Sequence, residues 1–205
     1  MGASDESITP VGDGWMWLRD GTAQPAPDAL DRLLEALGRL DGLPAPVLLA
    51  SKVVDRAGAL VPALAPWYLR DDAGLAMDAA GRGLLPVRAA RTSSVLVRAD
   101  VLGRARRRRR LPPGAAALEW TARVLRDAPG YLVPASVAVA EAAPGGSAEA
   151  LDPDPRADVL AAGALLASPA FAPREKGRIA LEVSQRALGA ARRARRGRAS
   201  RRSSG

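Results

Sequence analysis

Two hundred and five residues, 48% of them hydrophobic and 25% charged, suit one folded domain or slightly more and exclude a chain that is disordered throughout. Cys and His are both absent, which excludes disulfides, thiolate and imidazole metal sites, thiol nucleophiles and Ser-His-Asp catalysis. The net charge of +8 is unevenly placed: Arg104–Arg110 holds six Arg, Ala190–Gly205 holds seven Arg and no acid, and the remainder carries 17 basic against 22 acidic residues.

Met1 to Gly14 is polar and reads as a loose lead-in. Trp15-Met16-Trp17-Leu18 is strand-like and ends at Asp20-Gly21, a turn pair. Pro27 and Asp28 suit a helix start. Leu30, Leu33, Leu34 and Leu37 then recur at helical spacing, until Gly38 or Gly42 and Pro44 end the run. Val47 to Ala50 reads as a buried strand, and Asp55 to Gly58 as a turn between two short strands. Pro62 to Arg70, with Trp67 and Tyr68, reads as an irregular loop. Thr92 to Val97 is the strongest strand candidate, and Asp100 suits the cap of a short helix. Ala115 to Asp127 reads as a helix, and Tyr131–Val133 and Ser136–Val139 as two short strands. Pro144-Gly145-Gly146-Ser147 marks a boundary. Beyond it, Ala157–Ala167 and Arg174–Arg196 read as helices, the second with an apolar face of Ile179, Leu181, Val183, Ala187 and Leu188. The division is a mixed strand-and-helix part at 1–143, a helical part at 144–196 and a disordered basic tail at 197–205. This alternation makes the fold class α/β.

Two acids stand where a ligand would bind. Asp20 follows an apolar strand and precedes a helix, and open α/β sheets bind ligands at the carboxyl ends of their strands. A carboxylate there suits a divalent cation that neutralises a diphosphate, and it equally suits a plain Asp-Gly turn. Glu119 lies near the start of the later helix, where it suits either a ligand-facing acid or a first-turn Glu favoured by the helix dipole.

The order of these segments resembles the family 2 glycosyltransferases of actinobacterial type, which have a GT-A fold. The residues that carry the likeness are Trp15 to Leu18, then Ala23, Pro25 and Pro27 to Leu30. Ser93 to Asp100, Leu118-Glu119-Trp120-Thr121-Ala122-Arg123, Gly130 to Val137 and Ser168 to Lys176 continue it. The likeness runs from about Trp15 to about Arg186. It implies a partial GT-A mixed sheet flanked by helices within 1–143, with C-terminal helices after it. It also implies Asp20 as a ligand of Mg2+ or Mn2+ and Glu119 on the acceptor side. The substrates implied are a nucleotide-sugar and a cell-envelope glycan or lipid acceptor.

The departures from the family pattern are specific. Its cluster of three acids falls on Asp20-Gly21-Thr22, its Asp-Asp pair on Ala116-Ala117, and its late His near Ala140-Glu141. Its nucleotide-binding N-terminal part has no counterpart in the sequence. A transferase must neutralise the leaving diphosphate and deprotonate a hydroxyl, and losing a general base costs a factor of roughly 10² to 10⁴. The expectation is therefore a glycosyltransferase-like protein with weakened transfer. The alternatives are a non-catalytic remnant or accessory module of the same family, and an Arg-rich binder of nucleic acid or anionic membrane.

Nucleic acid is the less expected partner, because aromatics are scarce beside both Arg clusters. The Arg-rich C-terminus suits an anionic membrane surface, and equally a solvated tail of biased composition. No segment reaches the roughly 18–20 apolar residues of a spanning helix, so the expected location is cytoplasmic or peripheral at the inner membrane face. A sheet without its first strands would leave Trp15 and Trp17 partly uncovered, with an edge through which copies of the chain would associate.

Overall fold

The structure is a computed structural model, and it describes residues 7–61, 64–69, 72–102, 113–140, 163, 165–177 and 179–181. The strands are β1 (Ser7–Val11), β2 (Trp15–Arg19), β3 (Ala23–Pro25), β4 (Leu48–Val54), β5 (Trp67–Tyr68), β6 (Leu85–Ala89), β7 (Val95–Arg98) and β8 (Gly130–Ala140). The helices are α1 (Ala29–Leu37), α2 (Ala73–Ala80), α3 (Ala99–Leu102) and α4 (Pro113–Val124). Residues 165–167, 173–177 and 179–181 are also helical.

One eight-stranded sheet runs in the order β1-β2-β7-β4-β8-β6-β5, with β3 paired to the far half of β8. Among these pairings β4 and β8 are parallel and the others antiparallel. The α/β reading therefore holds in its general form: a mixed, mostly antiparallel sheet flanked by helices. Because β7 is antiparallel to both β2 and β4, those two strands point the same way, and β8 follows β4. The carboxyl ends of β2, β4 and β8 thus share one edge of the sheet with the start of β7.

Alternation along the central strands explains why they read as continuous apolar runs. Leu48, Ala50, Val95 and Val97 face α4 and pack with Trp120, Val124 and Leu125. Leu49, Leu96, Tyr131 and Val133 face the other way and pack with Leu33, Ala36 and Ala79 of α1 and α2. In α1 the buried positions are Ala29, Leu33 and Ala36, whereas Leu34 is exposed. Small alanines let the helix lie close to the sheet and turn the expected leucine face by part of a turn.

Several sequence expectations are corrected. The N-terminal stretch is not all lead-in, because β1 pairs along the whole of β2. Asp13 and Gly14 both take left-handed backbone (φ 51° and 77°), and Trp15 N–H donates to Gly12 O at 3.2 Å, the φ > 0 pair of a primed hairpin turn. The flank of β2 is therefore covered, and among the described strands the edge on that side is β1. The stretch expected as an irregular loop contributes β5. The two strands expected near 131–139 are one strand, β8, whose register against β4 jumps from Val133 to Val137. Pro134 sits in that irregularity, where a missing N–H breaks no ladder bond. Thr92 to Ser94 precede β7 as bends, so the strand starts three residues later than expected. Leu181, assigned to an apolar helix face, is exposed, although Ile179 is buried. The Arg run at 104–110, the boundary at 144–147 and the basic tail lie outside the described residues.

Candidate functional site

Asp20 stands at the carboxyl end of β2, on a turn that Gly21 completes with φ 73°. Both of its carboxylate oxygens are engaged. Oδ1 accepts from the Thr22 N–H at 3.0 Å and the Thr22 hydroxyl at 2.6 Å, and Oδ2 accepts from the Thr92 hydroxyl at 2.9 Å. Ser93 Oγ lies 2.7 Å from Thr22 Oγ1. Since the Thr22 proton goes to the carboxylate, Ser93 is the donor in that contact. The carboxylate thereby ties the end of β2 to the segment entering β7.

Next to it runs a buried line of hydroxyls. Ser94 Oγ accepts from the Trp17 indole N–H at 3.2 Å and from Ser51 Oγ at 2.8 Å. Ser51 Oγ lies 2.7 Å from Ser136 Oγ, which donates to the Ala29 carbonyl at 2.8 Å. These contacts join β2, β4, β8, α1 and the residue leading into β7 through polar atoms in a buried setting, where an unmet hydroxyl would cost about 1–3 kcal/mol. Sequence reasoning treated Thr92-Ser93-Ser94 only as the start of a strand. Three hydroxyls in a row just ahead of an apolar run were the available signal.

Glu119 is fully buried in α4. Its Oε2 pairs with Arg123 one helical turn on (3.1 Å to Nε, 3.0 Å to Nη2), and its Oε1 accepts from the Ser168 hydroxyl at 2.8 Å. Ser168 Oγ in turn accepts from the Ala170 N–H at 3.1 Å. The carboxylate thus holds residues 168–170 onto α4.

The two acids occupy neighbouring parts of the fold without meeting. Thr121, two residues from Glu119, accepts from Ala90 N–H at 3.0 Å and donates to Ala90 O at 2.8 Å. Thr92, two residues from Ala90, donates to Asp20. Two residues of chain reach at most ~7 Å, so the 90–92 segment bridges the surroundings of both. The side-chain partners given above for Asp20 and for Glu119 have no residue in common.

A catalytic Mg2+ or Mn2+ takes oxygen ligands, with one or two carboxylates beside phosphate oxygens. Asp20 brings one carboxylate, and its donors Thr22 and Thr92 already take three of its roughly four lone-pair sites. Among the described residues no three acids or other strong ligands group to hold a metal ion. Among the described residues, Asp20 alone does not supply that donor set.

Arg88 was missed by sequence reasoning, where the only signal was one cation inside the apolar run of β6. Its Nε pairs with Glu175 Oε1 at 2.6 Å, Nη1 donates to Ala122 O at 2.5 Å, and Nη2 donates to Ala170 O. Its guanidinium also lies over the Phe171 ring, 5.7 Å from the centroid. No helix among the described residues is long and apolar enough to cross a membrane.

In comparisons with protein-family models, curated proteins and solved structures, the chain matches none.

Proposed function

We propose that the chain is a family 2 glycosyltransferase-like domain without a transfer site of its own, acting as an accessory module in nucleotide-sugar chemistry. One observation carries this reading: the two acids that the resemblance assigns to metal and acceptor are both engaged in joining parts of the chain. Asp20 accepts from Thr22 and Thr92, and buried Glu119 is held by Arg123 and Ser168. A cation site needs several oxygen lone pairs, of which Asp20 keeps about one, and a general base needs access to the proton it takes. The relation to the family is supported by neighbourhood. Its segments fall on β2, β7, α4 and β8, which build one sheet and the helix packed on it.

The test is calorimetric titration with UDP- and GDP-sugars in the presence of Mn2+, together with thermal melts. No heat of binding and no metal-dependent rise in Tm are expected. A ligand at 100 times its Kd would add about 2.7 kcal/mol of stability, so even weak occupancy is readable. Stabilisation by Mn2+ and donor that disappears in Asp20→Asn would overturn the reading in favour of an active transferase.

A further inference from the structure

Strand β1 is the last strand on its side of the sheet, and among the described residues it pairs with β2 alone. The hydrogen bonds decide which of its backbone groups point away from β2. In an antiparallel pair, successive residues turn their N–H and C=O groups to opposite sides. Ala99 N–H donates to Gly14 O at 2.7 Å, in line with the β2–β7 register of Trp15 against Arg98. Gly14, Met16 and Leu18 therefore turn to β7, and Trp15, Trp17 and Arg19 turn to β1. The Trp15 N–H, bonded to Gly12 O, obeys the same rule. In the β1–β2 register these three stand opposite Val11, Thr9 and Ser7, which are the residues bonded to β2. Ile8 and Pro10 turn outward.

The outer edge thus carries the Ile8 N–H, the Ile8 C=O and the Pro10 C=O. Pro10 has no N–H, and its ring stands where a neighbouring strand would seek one. Nothing else on β1 discourages a neighbour. Its sequence Ser-Ile-Thr-Pro-Val has no charge, Ile8, Thr9 and Val11 are β-branched, and Ile8 is 51% exposed. Sheet edges are commonly guarded by charged side chains, by proline or by shortness. β5, at the opposite edge, is two residues long. β1 is five residues long and relies on its proline.

We infer that Pro10 is the guard that keeps β1 from pairing with β1 of a second copy of this chain. A two-fold antiparallel pairing of 7–11 sets Thr9 opposite its own copy and Ile8 opposite position 10. With an N–H at both outward positions, that ladder has four bonds. With Pro10 it has two, and each Ile8 carbonyl faces a pyrrolidine ring with its acceptor unmet. The pairing is otherwise favourable, since it covers Ile8 and joins strand-forming residues. The guard is a property of the sheet edge and does not rest on the functional reading above.

Two measurements on the full chain test it. In the parent, amide hydrogen exchange is expected to find Ile8 at least about tenfold faster than Thr9 and Val11, which β2 holds. Light scattering is expected to find the mass of a single chain from about 10 μM to about 1 mM. Pro10→Thr restores the N–H at an exposed position. This variant is expected to keep the parent's circular dichroism, to gain mass toward a dimer across the same range, and to slow the Ile8 amide about tenfold or more. Adding Ile8→Lys is expected to return it to the single mass, because a charge then guards each edge. An Ile8 amide as slow as Thr9 in the parent overturns the inference, since the edge would then be covered. A parent that dimerises over this range also overturns it. So does a Pro10→Thr protein that unfolds or keeps the single mass, or one whose association leaves the Ile8 amide fast or survives Ile8→Lys.

Discussion

Replacing Glu119 by alanine is expected to lower stability by about 2–4 kcal/mol, although no acid is ordinarily a good core residue. The magnitude follows from the partners. A hydrogen bond to a charged group is worth about 1.5–3 kcal/mol, and Ser168 makes one at 2.8 Å inside the protein. Breaking a fully buried ion pair costs about 3–5 kcal/mol, because the orphaned partner stays dry. Arg123, however, is 26% exposed, so only part of that cost is felt. For a chain of this length 1 kcal/mol moves Tm by about 2–4 °C, so a fall of roughly 5–15 °C is expected. Glu119→Gln keeps an acceptor for Ser168 and should lose about half as much. The assay is urea unfolding followed by far-UV circular dichroism, with the double variant Glu119→Ala/Ser168→Ala closing a thermodynamic cycle; a coupling of about 1 kcal/mol is expected for residues in contact. A Glu119→Ala protein within about 0.5 kcal/mol of the parent, or more stable than it, would refute the reasoning. The first is how an uninvolved surface position behaves and the second how a strained functional acid behaves.

Gly130→Ala is expected to destabilise by about 1–3 kcal/mol through overpacking, since an added Cβ would stand 2.5 Å from Leu125 Cδ2 and 3.2 Å from the Leu48 carbonyl; a neutral urea midpoint would show that Leu125 moves aside freely. Gly14→Ala should cost about 1 kcal/mol from its left-handed backbone alone, because a Cβ there meets nothing within 4 Å; Gly12→Ala, with equal space and no positive φ, should be nearly neutral. Burial pushes the Tyr131 phenol up from 10.0. The folded state then keeps a proton that the unfolded chain gives up, so this contribution is complete below pH 10 and is lost as pH rises through the folded value. Tm should therefore fall more steeply above pH 10 in the parent than in Tyr131→Phe. At neutral pH the same variant should lose about 1 kcal/mol with the bond to Pro44 O. Equal alkaline slopes in the two proteins would contradict the assignment.

Local chemistry made some parts of this molecule legible before any coordinates. The central strands β4 and β7 announce themselves as unbroken apolar runs because both of their faces are covered. The α4 helix shows as a run of helix-forming residues after Pro-Gly, and Asp20-Gly21 marks the end of β2 because only a glycine sits easily at φ 73°. Elements whose neighbours supply the stability left no such mark. Strand β1 carries the β-branched Ile8, Thr9 and Val11 but also Pro10, and the ladder of backbone bonds that β2 offers fixes it in place. β8 continues through Pro134 because β4 shifts register there.

The chemistry of the two acids divides in the same way. Residue type and position put Asp20 at the carboxyl end of a strand and Glu119 on a helix, and both conclusions follow from periods of two or three to four residues that the chain carries within itself. What each carboxylate does was decided by residues far along the chain: Thr92, 72 positions from Asp20, and Ser168, 49 positions from Glu119. A hydrogen bond made inside a protein is settled by which donors are brought out of water together. That depends on how the sheet, its helices and the 165–177 segment pack, a long-range outcome that no local pattern of residues encodes.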